Sequence, residues 1–288
     1  MSLEITATKT EQRQAEALIE NVNREALRSR DPGYRVRSLD HVVPERIQWL
    51  WTGHIPKGKS VVIDGDPGQG KSTITDDLVA RITTGDPWPD GSPGCNPGNV
   101  ILMSAEDGLA DTILPRILAA GGDTSRVFAL EGVADDKGVL QPPMLPGAIP
   151  RIKAAVIDHK ATALVIDVLM SYLDGSVNSY KDQDIRAKVM TPLTSMLEET
   201  GCTAILLRHL NKNVGGNAIS RGGGSIGIVG AARAAYVVAS DRNDPDRHIM
   251  APEEVNLGVS PKAPASVLPD DPDHRVPRGR WLAAREDT

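Results

Sequence analysis

Gly65-Asp66-Pro67-Gly68-Gln69-Gly70-Lys71-Ser72 satisfies the pattern G-x-x-x-x-G-K-[ST] at every fixed position. The aliphatic run Val61-Val62-Ile63 precedes it and a segment of helical length opens near Lys71, so a strand, a loop and a helix N-terminus follow in the order this motif needs. Glycines let backbone N–H groups converge on phosphate oxygens without interference from a Cβ, and the helix N-terminus adds partial positive charge. Gly65, Asp66, Pro67, Gly68, Gln69, Gly70, Lys71, Ser72 and Thr73 are therefore the candidate nucleotide contacts. Lys71 would neutralise the β- and γ-phosphates and Ser72 would ligate Mg2+. The competing explanation is a glycine-rich turn with a purely structural role.

Outward from that loop the chain alternates. Aliphatic runs at Val100–Met103, Val127–Leu130, Leu164–Ile166 and Ala204–Leu207 are separated by segments of helical length punctuated by Gly or Pro. Strands buried on both faces read as continuous aliphatic runs, so the pattern predicts an α/β domain with a mostly parallel central sheet flanked by helices. Ala235–Ala239 and His248–Met250 read as two further strands, a possible hairpin around Asp244-Pro245. Before the sheet, Ala15, Leu18, Ile19, Val22 and Ala26 form the stripe of an amphipathic helix that either folds back on its own core or reaches a neighbouring subunit. The expected organisation is an N-terminal helical arm or linker over 1–40, an ATPase-sized α/β domain over 41–260, and a Pro-rich, poorly ordered tail over 261–288.

A magnesium site also needs a carboxylate at the tip of a neighbouring strand, and Asp167 after Leu164-Val165-Ile166 supplies one. The strand ending in Met103 runs into Ser104-Ala105-Glu106-Asp107, at the rim where open α/β sheets bind ligands. Glu106 is the candidate catalytic base, against the alternative of a solvated acidic turn capping a helix. His209, after the strand Thr203–Leu207, reaches the same rim and is a candidate phosphate sensor; on its own it would read as a surface histidine.

Composition narrows the classes. The chain has 288 residues, 40% apolar and 24% charged, with 27 Gly and 21 Pro, which excludes collagen, coiled coil and wholesale disorder. No apolar run approaches the roughly 18 residues of a membrane span, and Met1-Ser2-Leu3-Glu4 lacks the shape of a secretory signal, so the expectation is a cytoplasmic protein with no membrane partner. Cys95 and Cys202 cannot build a disulfide framework. The net charge is −6, yet Gly201 through Ser240 holds no Asp or Glu and carries Arg208, Lys212, Arg221 and Arg233. That asymmetry, around Gly215-Gly216 and Gly222-Gly223-Gly224, suits a strand of nucleic acid, with Arg208, Lys212 and Arg221 as the contacts. An ordinary loop, or arginines serving the nucleotide, would leave the same trace. One Phe, four Tyr and four Trp offer few stacking platforms, so the grip would rest on phosphates.

Together these motifs resemble the RecA-like P-loop ATPases, AAA family ATPases among them, and most closely the RepA-like hexameric replicative helicases of plasmids and phages. The resemblance runs from about Arg46 to Leu257 and rests on Ile55-Pro56-Lys57-Gly58, Gly65–Ser72, Ser104-Ala105-Glu106-Asp107, Leu164–Asp167, Arg208-His209-Leu210-Asn211-Lys212 and Arg221–Ser225 continuing to Arg233. It implies ATP and Mg2+ as cofactors, Glu106 as base, His209 as sensor and Arg233 as an arginine finger reaching the neighbour's nucleotide. It also implies a homo-oligomer, a hexameric ring on single-stranded DNA, with a primase or other replication proteins as partners. Glu254 stands where such relatives commonly carry a Lys, which removes a second trans cation. The implied activity is ATP hydrolysis coupled to translocation on or unwinding of DNA; a regulatory ATPase that loads or remodels a protein partner is the alternative, and a small-molecule kinase comes third. A GTPase is disfavoured because Asn211-Lys212-Asn213-Val214 lacks the Asp that would read guanine.

Overall fold

A computed structural model describes residues 38–135, 137–210, 227–255, 257, 261–269, 271, 273–274 and 276–282. The helix expected over Glu11–Arg28 and the basic-loop residues Lys212 and Arg221 lie outside the described residues. Contacts divide the chain after Arg46. In the first unit the described part holds one 3-10 turn, Leu39–His41. The second, 47–288, holds the whole sheet.

That sheet has nine strands in the order β13-β12-β11-β10-β3-β9-β8-β4-β5. Its parallel part comprises β3 (Ser60–Gly65), β4 (Asn99–Ser104), β5 (Val127–Ala129), β8 (Ala161–Asp167), β9 (Thr203–His209) and β10 (Ala234–Ser240). β11 (Arg247–Val255) returns antiparallel from β10, as a hairpin through the expected turn at Asp244-Pro245. Two small hairpin pairs, β1 (Trp49–Trp51) with β2 (Ile55–Pro56) and β6 (Val133–Ala134) with β7 (Leu140–Gln141), stand outside the main sheet.

Alternate residues of each strand feed two cores, as a pleated strand requires. Val61, Ile63, Val100, Leu102, Ile205 and Leu207 face α1 (Lys71–Thr84) and α2 (Leu114–Ala119). Val62, Ile101, Met103, Leu164, Ile166 and Leu206 face α3 (Ile149–Asp158) and the helix formed by α4 (Asp182–Ile185), a π turn at Arg186–Met190 and α5 (Thr191–Thr200). The mixed, mostly parallel sheet between two helical layers is an α/β P-loop fold. Trp51 is wholly buried, stacked on His54 at 3.9 Å and on Trp88 at 5.3 Å, so it belongs to the core and is closed to a nucleobase.

The C-terminal segment corrects the sequence reading. Instead of a poorly ordered tail, β12 (Ala265–Val267) and β13 (Arg280–Leu282) extend the sheet antiparallel beyond β11. The prolines of this segment fall outside both three-residue strands, Ala265-Ser266-Val267 and Arg280-Trp281-Leu282, so neither strand loses an N–H donor to them. Trp281 anchors the edge by meeting Trp51 edge-on at 6.4 Å and donating its Nε1–H to Asp77 on α1.

Arg208 is the second correction. It lies within β9, fully buried, with Nε donating to Asp64 Oδ1 at 2.8 Å and Nη2 to Asp64 Oδ2. It cannot reach nucleic acid; it is half of a bidentate ion pair between β9 and β3. Breaking a buried pair from one side costs about 3–5 kcal/mol because the remaining charge loses its compensation. Urea unfolding should therefore show Asp64→Asn destabilised by about that amount, and Asp64→Leu with Arg208→Met within about 2 kcal/mol of the parent. A loss below about 1 kcal/mol in Asp64→Asn would deny the pair its structural role.

Candidate nucleotide site

β3 ends at Gly65 and α1 begins at Lys71, so the loop between them crosses the C-terminal rim of the sheet. Gly70, at φ +78°, carries the turn into the helix, and a Cβ there would come within 2.1 Å of Leu268 Cδ1. No side chain caps the helix N-terminus and no acidic residue sits in its first turn, which leaves backbone N–H groups and the helix dipole for an anion. Pro67 and Gly68 at the crest are exposed. Gln69 anchors the loop sideways: its Oε1 accepts from Ser240 N at 2.7 Å and from Ser240 Oγ at 2.9 Å.

Lys71 is 4% exposed, and its Nζ lies 2.8 Å from Gly65 O, 3.0 Å from Asp66 O and 3.2 Å from His209 Nδ1. An ammonium can only donate, so Nδ1 is the acceptor and the imidazole, when neutral, carries its proton on Nε2. That Nε2 lies 3.3 Å from both Glu106 carboxylate oxygens, to which it donates. One hydrogen-bonded chain thus runs from the phosphate-loop lysine through the sensor candidate to the base candidate. Burial lowers the Lys71 pKa, opposed by the carboxylates of Asp167, Glu106, Asp64 and Asp66.

Asp167 ends β8 beside Ser104 at the end of β4, and Ala105 N donates to Asp167 O at 2.9 Å, which ties the two strand tips together. The Ser72 hydroxyl bonds the Asp167 carboxylate. Burial raises the Asp167 pKa, while the Ser72 hydrogen bond opposes the shift and the like charges of Asp107 and Glu106 add to it. Ser72 and Asp167 fit Mg2+, which takes one or two protein oxygens and fills its shell with water and phosphate. Among the described residues no three His, Cys, Asp or Glu side chains form an all-protein metal cage.

The structure therefore brings Lys71, Ser72, Glu106, Asp167 and His209 to one rim. It does not bring Arg233 there. Arg233 is exposed just before β10, with its N–H on Ser60 O at 3.0 Å, beside the first residue of β3. A strand length, about 17 Å at roughly 3.3 Å per residue, separates that end from the phosphate loop. Sequence reasoning missed Asp76 and Arg116. Asp76 follows Ser72 by four residues on α1, a spacing that puts both on one face, and Arg116 on α2 reaches Asp107 at 2.7 Å.

Residues 24–215, more than half of the chain, match the family model described as an AAA domain. No curated protein matches the chain. No described helix is long and apolar enough to cross a membrane.

Lys71→Ala removes the ammonium held by the carbonyls of Gly65 and Asp66 in the glycine loop, and hydrogen bonds to charged groups contribute about 1.5–3 kcal/mol each. Lys71→Ala should bind a fluorescent ATP analogue at least ~10-fold more weakly in equilibrium titration. Unchanged affinity would take Lys71 out of the site.

Proposed function

The chain belongs to the AAA domain family, and from that premise we propose that it hydrolyses ATP with Mg2+ and couples hydrolysis to movement on single-stranded DNA as a ring-forming homo-oligomer, a replicative helicase-type motor. The observation that carries the ATPase part is the chain Lys71–His209–Glu106 beside the Ser72–Asp167 pair. In this reading Lys71 and the backbone N–H groups of the loop, which Pro67 lacks, hold the β- and γ-phosphates, and Ser72 and Asp167 would hold Mg2+, whose charge would offset that of the phosphate oxygens. Glu106 accepts the proton of a water whose oxygen bonds the γ-phosphorus as the bond to the β–γ bridging oxygen breaks, releasing ADP and phosphate. His209, placed between Lys71 and Glu106, touches the γ-phosphate and responds to its presence.

Two features support the coupled part. Arg233 is exposed a strand length away from its own phosphate loop, so an arginine finger at that position acts on a neighbour's nucleotide and hydrolysis depends on assembly. The acid-free segment that begins in β9 continues directly from His209 into Lys212 and Arg221, so a response at the γ-phosphate is passed to the part of the chain with the electrostatic footprint for DNA. A primase or another replication protein is the partner class in keeping with such a motor.

ATPase rates with and without single-stranded DNA at low salt test the motor: at least threefold stimulation, lost in Lys212→Ala, is expected, whereas an active but unresponsive enzyme indicates the regulatory ATPase that remodels a protein partner. Glu106→Gln should keep nucleotide binding and lose at least ~10²-fold in turnover. Mixing inactive Arg233→Ala with inactive Lys71→Ala should restore hydrolysis at hybrid interfaces; assembled mixtures that stay silent would rule out the trans arginine.

A further inference from the structure

α1 is a helix with an unusually polar buried face. Thr73, Thr75, Asp76 and Asp77 are all buried in its first two turns, whereas only apolar contact is needed to seat a helix on a sheet. Asp76 is 7% exposed, and its Oδ2 and the Thr75 Oγ1 have no hydrogen-bond partner among the described residues. Both line a cavity of about 10 Å³ together with Ser72, Ser104, Asp107 and Asp167. Burial pushes the Asp76 pKa well above the usual carboxylate range, with Arg116 opposing that shift and the like charges of Asp167 and Asp107 reinforcing it.

The Arg116 guanidinium enters this carboxylate group from α2. Its Nη1 donates to Asp107 Oδ2 at 2.7 Å and lies 3.8 Å from Asp76 Oδ2. One guanidinium thus spans the helix that bears Lys71 and Ser72 and the loop that bears Glu106. Stability is a poor reason for the arrangement. The Arg116 Nε is buried without a partner, the contact to Asp76 is longer than a hydrogen bond, and ordering an arginine side chain costs about 2 kcal/mol.

What Arg116 supplies is placement. Glu106 is exposed and sits between two pinned neighbours: on one side Ala105 N bonds Asp167 O at 2.9 Å, and on the other the Asp107 carboxylate is held by Arg116. The first contact fixes the loop to β8 and the second fixes it toward α1. Without the Arg116 guanidinium, Asp107 would face the Asp167 carboxylate with no cation to offset it, a repulsion that pushes the loop bearing Glu106 outward.

We propose that Arg116 is a positioning residue for hydrolysis: by bridging Asp107 to Asp76 it holds the Glu106 loop at a set distance from the helix that carries Lys71 and Ser72. This rests on the ATPase reading of the site and adds residues whose effect passes through the base rather than through nucleotide binding. A misplacement of about 1 Å at a reacting group lowers rates by up to about 10²-fold without loss of binding.

The test uses Arg116→Gln, Arg116→Lys and Asp107→Asn in the full chain, with steady-state kcat for ATP and equilibrium binding of a fluorescent non-hydrolysable ATP analogue. Expected for Arg116→Gln and Asp107→Asn is a fall in kcat of at least tenfold with the analogue Kd within threefold, a double variant no slower than the worse single one, and Arg116→Lys within fivefold of the parent. In a Glu106→Gln background the Arg116→Gln change should cost nothing further, because its effect runs through Glu106; an equal loss there overturns the proposal. Unchanged kcat in Asp107→Asn, an exchange at the loop that leaves α1 and α2 intact should Arg116→Gln fail to fold, overturns it as well. An unsubstituted chain without ATPase activity would instead overturn the ATPase reading on which the proposal stands.

Discussion

The pairing of β3 with β9 is the constraint on which the site depends, and the buried Asp64–Arg208 ion pair locks it. Val61, Val62 and Ile63 lie opposite Ile205, Leu206 and Leu207, so each side of the two-strand unit is apolar until the last turn of the pattern, where Asp64 meets Arg208 and Gly65 meets His209. A slip of one residue would cross the two apolar faces and leave a carboxylate and a guanidinium buried apart, at about 3–5 kcal/mol for each broken partner. The pair therefore contributes alignment more than net stability. Alignment is what sets His209 beside the phosphate loop, 3.2 Å from Lys71, and through His209 connects that loop to Glu106, which follows a strand three positions along the sheet.

Electrostatically the rim is a set of carboxylates gathered around few cations. Asp167, Glu106, Asp64 and Asp66 all act on Lys71, and Asp107 and Asp76 share Arg116. Lys71 has three donors, and the structure uses them on Gly65 O, Asp66 O and His209 Nδ1. The first two acceptors belong to the loop's own backbone, so the His209 contact is the one a phosphate oxygen can replace without unfolding the loop. Such an exchange frees Nδ1 of the same ring whose Nε2–H is held by Glu106, so it alters the surroundings of His209 and Glu106 in one event. A polyanion with its cation is what this surplus of carboxylates can accept, since the two cations described at the rim, Lys71 and Arg116, are already engaged.

Sequence legibility followed burial. Val61-Val62-Ile63 and Leu164-Val165-Ile166 announce strands because burial on both faces removes any polar alternation, and the shared rim of Lys71, Ser72, Glu106, Asp167 and His209 is legible because each follows such a run at the same end. Arg208 was misread from charge alone, as part of a basic segment. Counting by twos from the buried Leu206 places it on an inward face, and that signal was available. β12 and β13 are too short for any periodicity to show among the prolines around them, and only tertiary pairing to β11 reveals them. Asp76 follows Ser72 at helical spacing but carries a charge that reads as solvent-facing, and Arg116 sits on a six-residue helix after a π turn, where no apolar stripe betrays the inward side.

Strand order sorts the site into a working side and a holding side. On one flank of β3 lie β9, β8 and β4, which deliver His209, Asp167 and the Glu106 loop. On the other flank lie β10, β11 and β12, from which the described residues deliver no acid, base or metal ligand to the loop. Instead, Ser240 at the end of β10 holds Gln69, the Val238 carbonyl lies 2.5 Å from where a Cβ on Gly65 would stand, and Leu268 lies against Gly70. These contacts explain why the loop needs glycine at both ends: any side chain at position 65 or 70 would strike the holding side before it affected a phosphate. Trp281 on β13 adds a hydrogen bond to Asp77 on α1, so the antiparallel extension grips the nucleotide helix as well as its loop. Because α1 is held from that flank and tied to the Glu106 loop through Arg116 from the opposite one, its N-terminus is fixed relative to both, and the phosphate position becomes a property of the whole sheet.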